Sequence, residues 1–130
     1  MQTNSGIKAF TVGTGGVTAH SLVKLSSGEV VLNTATSTDD PVGVALYGET
    51  ADGVVAVHLI NCPGTVEMIA AGAISSGADV YAAADGEIQS LSEAAATYRK
   101  IGIALEAATA DGDIIEVLPY DYNATATVTE

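Results

Sequence analysis

Two histidines, one cysteine and a few aspartates are the residues of this chain whose types suit chemistry. His20 and His58 are the only imidazoles, the side chains that ordinarily exchange protons near neutral pH. His58 sits in the apolar run VVAVHL, so a half-buried or interface histidine is the better reading than a base or a ligand. Cys62 precedes Pro63 and has no helix N-terminus beside it to activate a thiolate. As a lone cysteine it forms no intramolecular disulfide and offers no metal cluster. No G-x-S-x-G elbow occurs. Asp39-Asp40 and the Asp-Gly pairs at 52–53, 85–86 and 111–112 invite a calcium reading. Calcium takes about six to eight oxygens, and the D-x-D-x-D-G spacing is absent. Asp-Gly instead supplies the positive φ that a tight hairpin needs, so turns are the reading. Thr14-Gly15-Gly16 lacks the G-K-[ST] ending of a phosphate loop. The expectation is a protein that is not an enzyme, with no catalytic residues, no cofactor, no metal ligands and no small-molecule substrate.

The elements around these residues come in two copies. Residues 42–59 read VGVALYGETADGVVAVHL and residues 101–118 read IGIALEAATADGDIIEVL. At an offset of 59 they agree at Gly43/Gly102, Ala45/Ala104, Leu46/Leu105, Thr50/Thr109, Ala51/Ala110, Asp52/Asp111, Gly53/Gly112 and Leu59/Leu118. Each copy is an apolar run, a turn-rich stretch ending in Asp-Gly, and a second apolar run, which predicts two paired strands. Without a gap, Val57 falls opposite Glu116 and a carboxylate enters the core. Counting Asp113 as one extra residue instead pairs Val55 with Ile115 and Val57 with Val117. Strand faces alternate with period two, so this register keeps both inner faces apolar. It predicts a bulge or longer turn at Gly112-Asp113.

The likeness extends upstream, with residues 20–24 opposite 77–81 and Ser27-Gly28 opposite Asp85-Gly86. The half-repeats are expected at about 17–59 and 74–118. Residues 1–12 lie outside them and are expected as a flexible N-terminal arm; within it the alternating run 7–12 (IKAFTV) is a first strand or an extended contact segment, whose Ile7, Phe10 and Val12 reach a neighbouring subunit or another surface. Residues 33–40 read as a surface loop, and 92–99 (SEAAATYR) as a loop or one helical turn capped by Ser92. Residues 121–130 read as a C-terminal tail, with Tyr120 and Tyr122 as packing or interface residues. About four strands per half plus an N-terminal one, separated by turn signals, give a compact all-β barrel or sandwich of two tandem halves in a pseudo-twofold relation, as a single domain over 13–120.

Composition narrows the partners. The chain carries 16 acidic against 4 basic residues, a net charge of −12, so nucleic acid is not expected as a partner. No apolar run approaches the ~20 residues of a membrane span, and no signal-peptide pattern opens the chain. The expectation is a protein made in the cytoplasm and not bound to membrane. The chain is 48% hydrophobic but has one Phe and no Trp, so its core is built of small side chains and gains from a subunit interface.

DPVGVAL (40–46), VVAVHL (54–59), the stretch from SGADVY to DGEI (76–88) and IGIALEAATADGDIIEVLPY (101–120) together resemble the DUF2190-type capsid cement, or head decoration, proteins of tailed bacteriophages. The resemblance covers about residues 15–120. It implies a small β-rich protein, commonly a homotrimer, whose partner is the major capsid protein. Such a protein sits on the outer capsid surface of the virion and bridges neighbouring capsomers against the pressure of packaged DNA. It implies no catalytic residues. A different virion surface part, such as a head fibre or spike base or an adhesive carbohydrate-binding domain, is the rival. Sugar-binding parts usually show aromatic clusters, and the five Tyr here form none in sequence. A small β-barrel hydrolase with paired surface carboxylates is a third reading, which a deep pocket with convergent polar groups would favour.

Overall fold

The computed structural model describes residues 3, 5–34, 39–120 and 124–129. The chain folds into strands β1 (Ile7–Thr11), β2 (Leu22–Ser26), β3 (Glu29–Leu32), β4 (Pro41–Ala45), β5 (Val54–Leu59), β6 (Val66–Ile69), β7 (Asp79–Ala82), β8 (Ile88–Gln89), β9 (Ala96–Ala104), β10 (Ile114–Pro119) and β11 (Thr125–Val128). The one helical element among the described residues is a 3₁₀ turn at Ala84–Gly86.

The strands form two antiparallel sheets of matching order. The first runs β1-β5-β4-β2-β3 and the second β6-β10-β9-β7-β8, with β11 added on β9. Each sheet curls until the residue after its first strand meets its last strand through a single parallel bridge, Val12 to Val30 and Ala70 to Ile88. That is too little for a closed barrel, and the arrangement is sandwich-like.

Turn chemistry makes the tight connections. Ser27 and Gly28 both have positive φ, 52° and 83°, the conformations of a two-residue hairpin, and join β2 to β3. Asp85 and Gly86 adopt 59° and 76° at the matching place. Both halves also slip register at the same point, between Val23 and Lys24 in β2 and between Val80 and Tyr81 in β7.

The register expected for β5 and β10 is the one found. Val55, Val57, Ile115 and Val117 are buried, and Glu116 is exposed. The extra residue, however, enters before the Asp-Gly pair rather than after it. Val12 N–H donates to Gly53 O and receives Asp52 N–H on its own carbonyl, as Ala70 does with Asp113 O and Gly112 N–H. Asp52 therefore stands where Gly112 stands, both at positive φ, and the two Asp-Gly pairs are out of step by one. The sequence aligns like with like; the backbone aligns left-handed residue with left-handed residue.

Three further expectations are decided by the structure. Of the two readings of 7–12 the first strand is the one found, and residues 7–11 are no free arm: β1 pairs with β5 from Ile7↔His58 to Thr11↔Val54, as β6 pairs with β10. The N-terminal strand thus has a counterpart in the repeat, hidden because IKAFT and VEMI share no residue at matching positions. Of the two readings of 92–99, the loop is found at 92–95 and no helical turn forms. Ser92 Oγ accepts the Ala94 amide at 3.1 Å in a bend, and β9 starts at Ala96 because β11 is there to pair with it. Of the tail, residues 124–129 are described and hold that strand; 121–123 and 130 lie outside the described residues.

The interior has two parts. Val12, Val17, Val23, Val30, Ala45, Val55 and Val57 form a core wholly within the first half, flanked by Phe10, Leu32 and Val42. The second core gathers Met68, Ile88, Ile101, Ile115 and their neighbours, and adds Leu22, Val44 and Ile60 from the first half. Polar ties cross the same seam. Gly86 N–H donates to Asn33 O at 2.9 Å, Ile69 N–H donates to His20 O at 3.3 Å, and Arg99 pairs with Asp40. A side chain at Gly86 would meet Leu22 O at 2.7 Å, so a glycine is needed for that approach.

Candidate functional surface

The residues singled out as contacts do not form one site. Ile7 is 43% exposed on β1, whereas Phe10 is half-buried against the first core with Lys8 Nζ 6.0 Å from its ring centroid. Val12 is fully buried in that core, which removes it as a contact residue: its side chain continues the inward face of the curled sheet. Tyr120 lies beyond β10 on the other sheet, where its hydroxyl is 3.3 Å from Asp79 Oδ1 and Lys100 Nζ stands 4.7 Å from its ring centroid. Lys100 Nζ is also 3.6 Å from Asp79 Oδ1, so these three form one surface cluster. Tyr122 lies outside the described residues.

What sequence reasoning missed is a groove at the seam. His20, Leu46 and His58 from the first half face Thr65, Val66, Glu67, Glu106 and Glu116 from the second around an open depression of about 450 Å³. Glu67 lies directly opposite Glu116 in the β6–β10 ladder, a like-charge pair that disfavours the sheet. Two of the carboxylates are fixed by the fold. Glu106 Oε1 accepts the Glu116 amide at 2.7 Å, and Glu116 Oε2 accepts the Thr65 hydroxyl at 2.6 Å. Among the described residues no lysine or arginine lines the groove. Outward-facing positions of β6 and β10 carry this signal in the sequence, but it becomes legible only once the two strands are known to be neighbours.

The groove is acidic and open, and among the described residues no group of three or more His, Cys, Asp or Glu is placed to hold a metal ion. His58 Nδ1 is a buried atom without a hydrogen-bond partner. Cys62 is half-buried beside Gly6 and takes no part in the groove. A second depression of about 590 Å³ is walled by Gly15, Gly16, Val17, Gly48, Glu49 and Thr50. Here Gly16, at φ 73°, lets the chain pass Glu49, whose carbonyl a side chain would meet at 2.8 Å. The Gly-Gly pair therefore serves a close strand crossing, with Val17 and Glu49 exchanging backbone hydrogen bonds.

Carboxylates also shape the turns that follow. Asp113 Oδ2 accepts the Thr109 amide at 2.8 Å, the Thr109 hydroxyl at 3.1 Å and the Ala110 amide at 3.2 Å. These bonds, the Thr109 amide foremost, hold its pKa below the ordinary value of 3.8. In the first half Glu49 Oε1 performs the analogous task for Thr50, at 2.9 Å to its amide. Asp39 is likewise held low, by the Thr34 hydroxyl and then by Lys24, whose Nζ is 2.9 Å away. Glu87 is pushed upward by burial and then by Asp111 and Asp85.

Comparison with known proteins places this surface in context. A family model described as phage cement protein matches residues 1–119. No curated protein matches the chain. Among solved structures, the crystal structure of the head fiber gp8.5 N base in bacteriophage phi29 is similar at a TM-score of 0.70 and 18% identity, over 89% of this chain and 96% of that one. At that identity the likeness is one of fold.

Proposed function

The chain belongs to the phage cement protein family, and from that premise we propose that it decorates the outer surface of a tailed-phage head and stabilises the shell by bridging neighbouring capsomers. Family membership makes it a capsid-associated structural protein of a bacteriophage, and the match over residues 1–119 is the observation that carries the reading. The proposed partner is the major capsid protein, and the proposed assembly on the shell is a homotrimer. The work is done by surfaces rather than by catalysis. Light cores and small interfaces suit this role, because a shell repeats the same site many times and weak contacts add through multivalency. The matching strand order of the halves supports a pseudo-twofold relation between them.

The test uses heads of the phage that carries the chain, prepared without it. Purified protein should bind expanded heads and not immature shells, and should raise the temperature at which packaged heads release DNA. Failure to bind expanded heads overturns the reading. Likeness to a head fibre base favours one rival, an attachment point for a longer appendage. A base of that kind would bind heads without changing their thermal stability.

A further inference from the structure

Among the described residues, the terminal strands of the two sheets, β1, β3, β6 and β8, each carry a device against pairing with a stray strand. β1 carries Lys8, β3 carries Glu29 and β6 carries Glu67. β8 is two residues long and receives the bridge from Ala70. Charge, brevity and curling are the ordinary protections of an exposed edge. β11, with sequence TATV, has no charge and no proline, and among the described residues no bridge beyond its ladder to β9.

The ladder shows which backbone groups point outward. Lys100 N–H donates to Ala124 O at 2.9 Å, and antiparallel pairs alternate between bonded and non-bonded. Ala126 and Val128 therefore face β9, while the N–H and C=O of Thr125 and Thr127 face away from it. The hydroxyls of Thr97 and Thr127 lie 2.9 Å apart, which fits a non-bonded pair, where side chains come closest. Among the described residues no strand pairs with this outer side.

We propose that the outer edge of β11 is a strand-addition site, at which Thr125 and Thr127 take up the backbone of an extended, Lys- or Arg-bearing segment of the shell protein. The identity of the partner rests on the functional reading above. Charge selects a basic partner over a second copy: each copy carries −12, so edge-to-edge pairing of two copies brings like charges together. The chain's own Lys24, Arg99 and Lys100 are already paired with Asp39, Asp40 and Asp79. The uncharged strand itself is what lets an extended segment approach.

Thr127→Pro and Thr125→Pro each delete one outward N–H and leave the ladder to β9 intact, as proline does on an edge strand. With expanded heads lacking the protein as probe, each variant should bind about tenfold more weakly than wild type, the loss of a hydrogen bond within a fixed ladder. On binding, amide exchange at Thr125 and Thr127 of the unaltered protein should slow, whereas Ala126 and Val128, which face β9, should be slow in the free protein too. That second measurement decides the matter if the proline variants fail to fold. Wild type that binds while both variants bind equally well, or while Thr125 and Thr127 exchange unchanged, overturns the site. Self-association of the wild type that both variants abolish overturns the partner. Wild type that does not bind heads overturns the functional reading and this partner together.

Discussion

Gly43 and Gly102 show how much one missing methyl group decides. A Cβ at Gly43 would lie 2.2 Å from His58 O, and one at Gly102 would lie 2.1 Å from Leu118 O and 2.8 Å from Pro119 Cα. The obstacle in both is backbone, which cannot swing aside as a side chain can. Gly102→Ala should destabilise the fold by about 1–3 kcal/mol, measured by denaturant unfolding. An unchanged midpoint would mean that β9 and β10 are not in this register. The sequence repeat makes both glycines conspicuous, but their reason is visible only as a close strand approach. Asp113 gives the pH-dependent counterpart. Its lowered pKa means that its contribution is present above the ordinary aspartate value of 3.8 and is lost as pH falls through the lowered value. Asp113→Asn should therefore be less stable than wild type near neutral pH, and the difference should shrink in strong acid; unfolding midpoints across that range check it. A constant difference would point to packing rather than charge.

At the scale of elements, β1 changes what a truncation means. Removing residues 1–12 takes away the neighbour of β5 together with Val12 and Phe10, so the truncated protein should lose cooperative unfolding, as followed by circular dichroism. Removing residues 1–5 should leave the melting temperature close to wild type. A stable, cooperative protein without residues 1–12 would restore the arm reading. Strand periodicity and Asp-Gly turns made most elements legible, because both are local. The pairing of β1 was not, since the counterpart strands share a place in the sheet and no residues. The same limit applied to the longer turn, where identical Asp-Gly pairs aligned well as letters and occupied different backbone positions. β9 was obscured for a related reason: its first half pairs with β11, which comes more than 20 residues later in the chain.

The whole molecule is held together by an unequal seam. Leu22, Val44 and Ile60 are counted among the side chains of the second core, while the first core uses only its own. Calorimetry should show one transition, and Leu22→Ala should lower its midpoint by removing about 2–5 kcal/mol of stability without splitting it. Two separated transitions would show instead that the halves melt independently. No local pattern in the chain announces this sharing, because Leu22 and Val44 read like any other strand residues.

That inequality also gives the polypeptide a direction in time. During translation the amino-terminal portion leaves the ribosome first, and domains generally fold in that order. Everything needed to close its interior has then emerged by residue 57, before the last strands exist. The carboxy-terminal portion arrives later and should condense on that earlier half. The nascent molecule is thus expected to pass through a half-built stage that presents Leu22, Val44 and Ile60 to solvent, and its exposure to aggregation should last only as long as the remaining residues take to be synthesised.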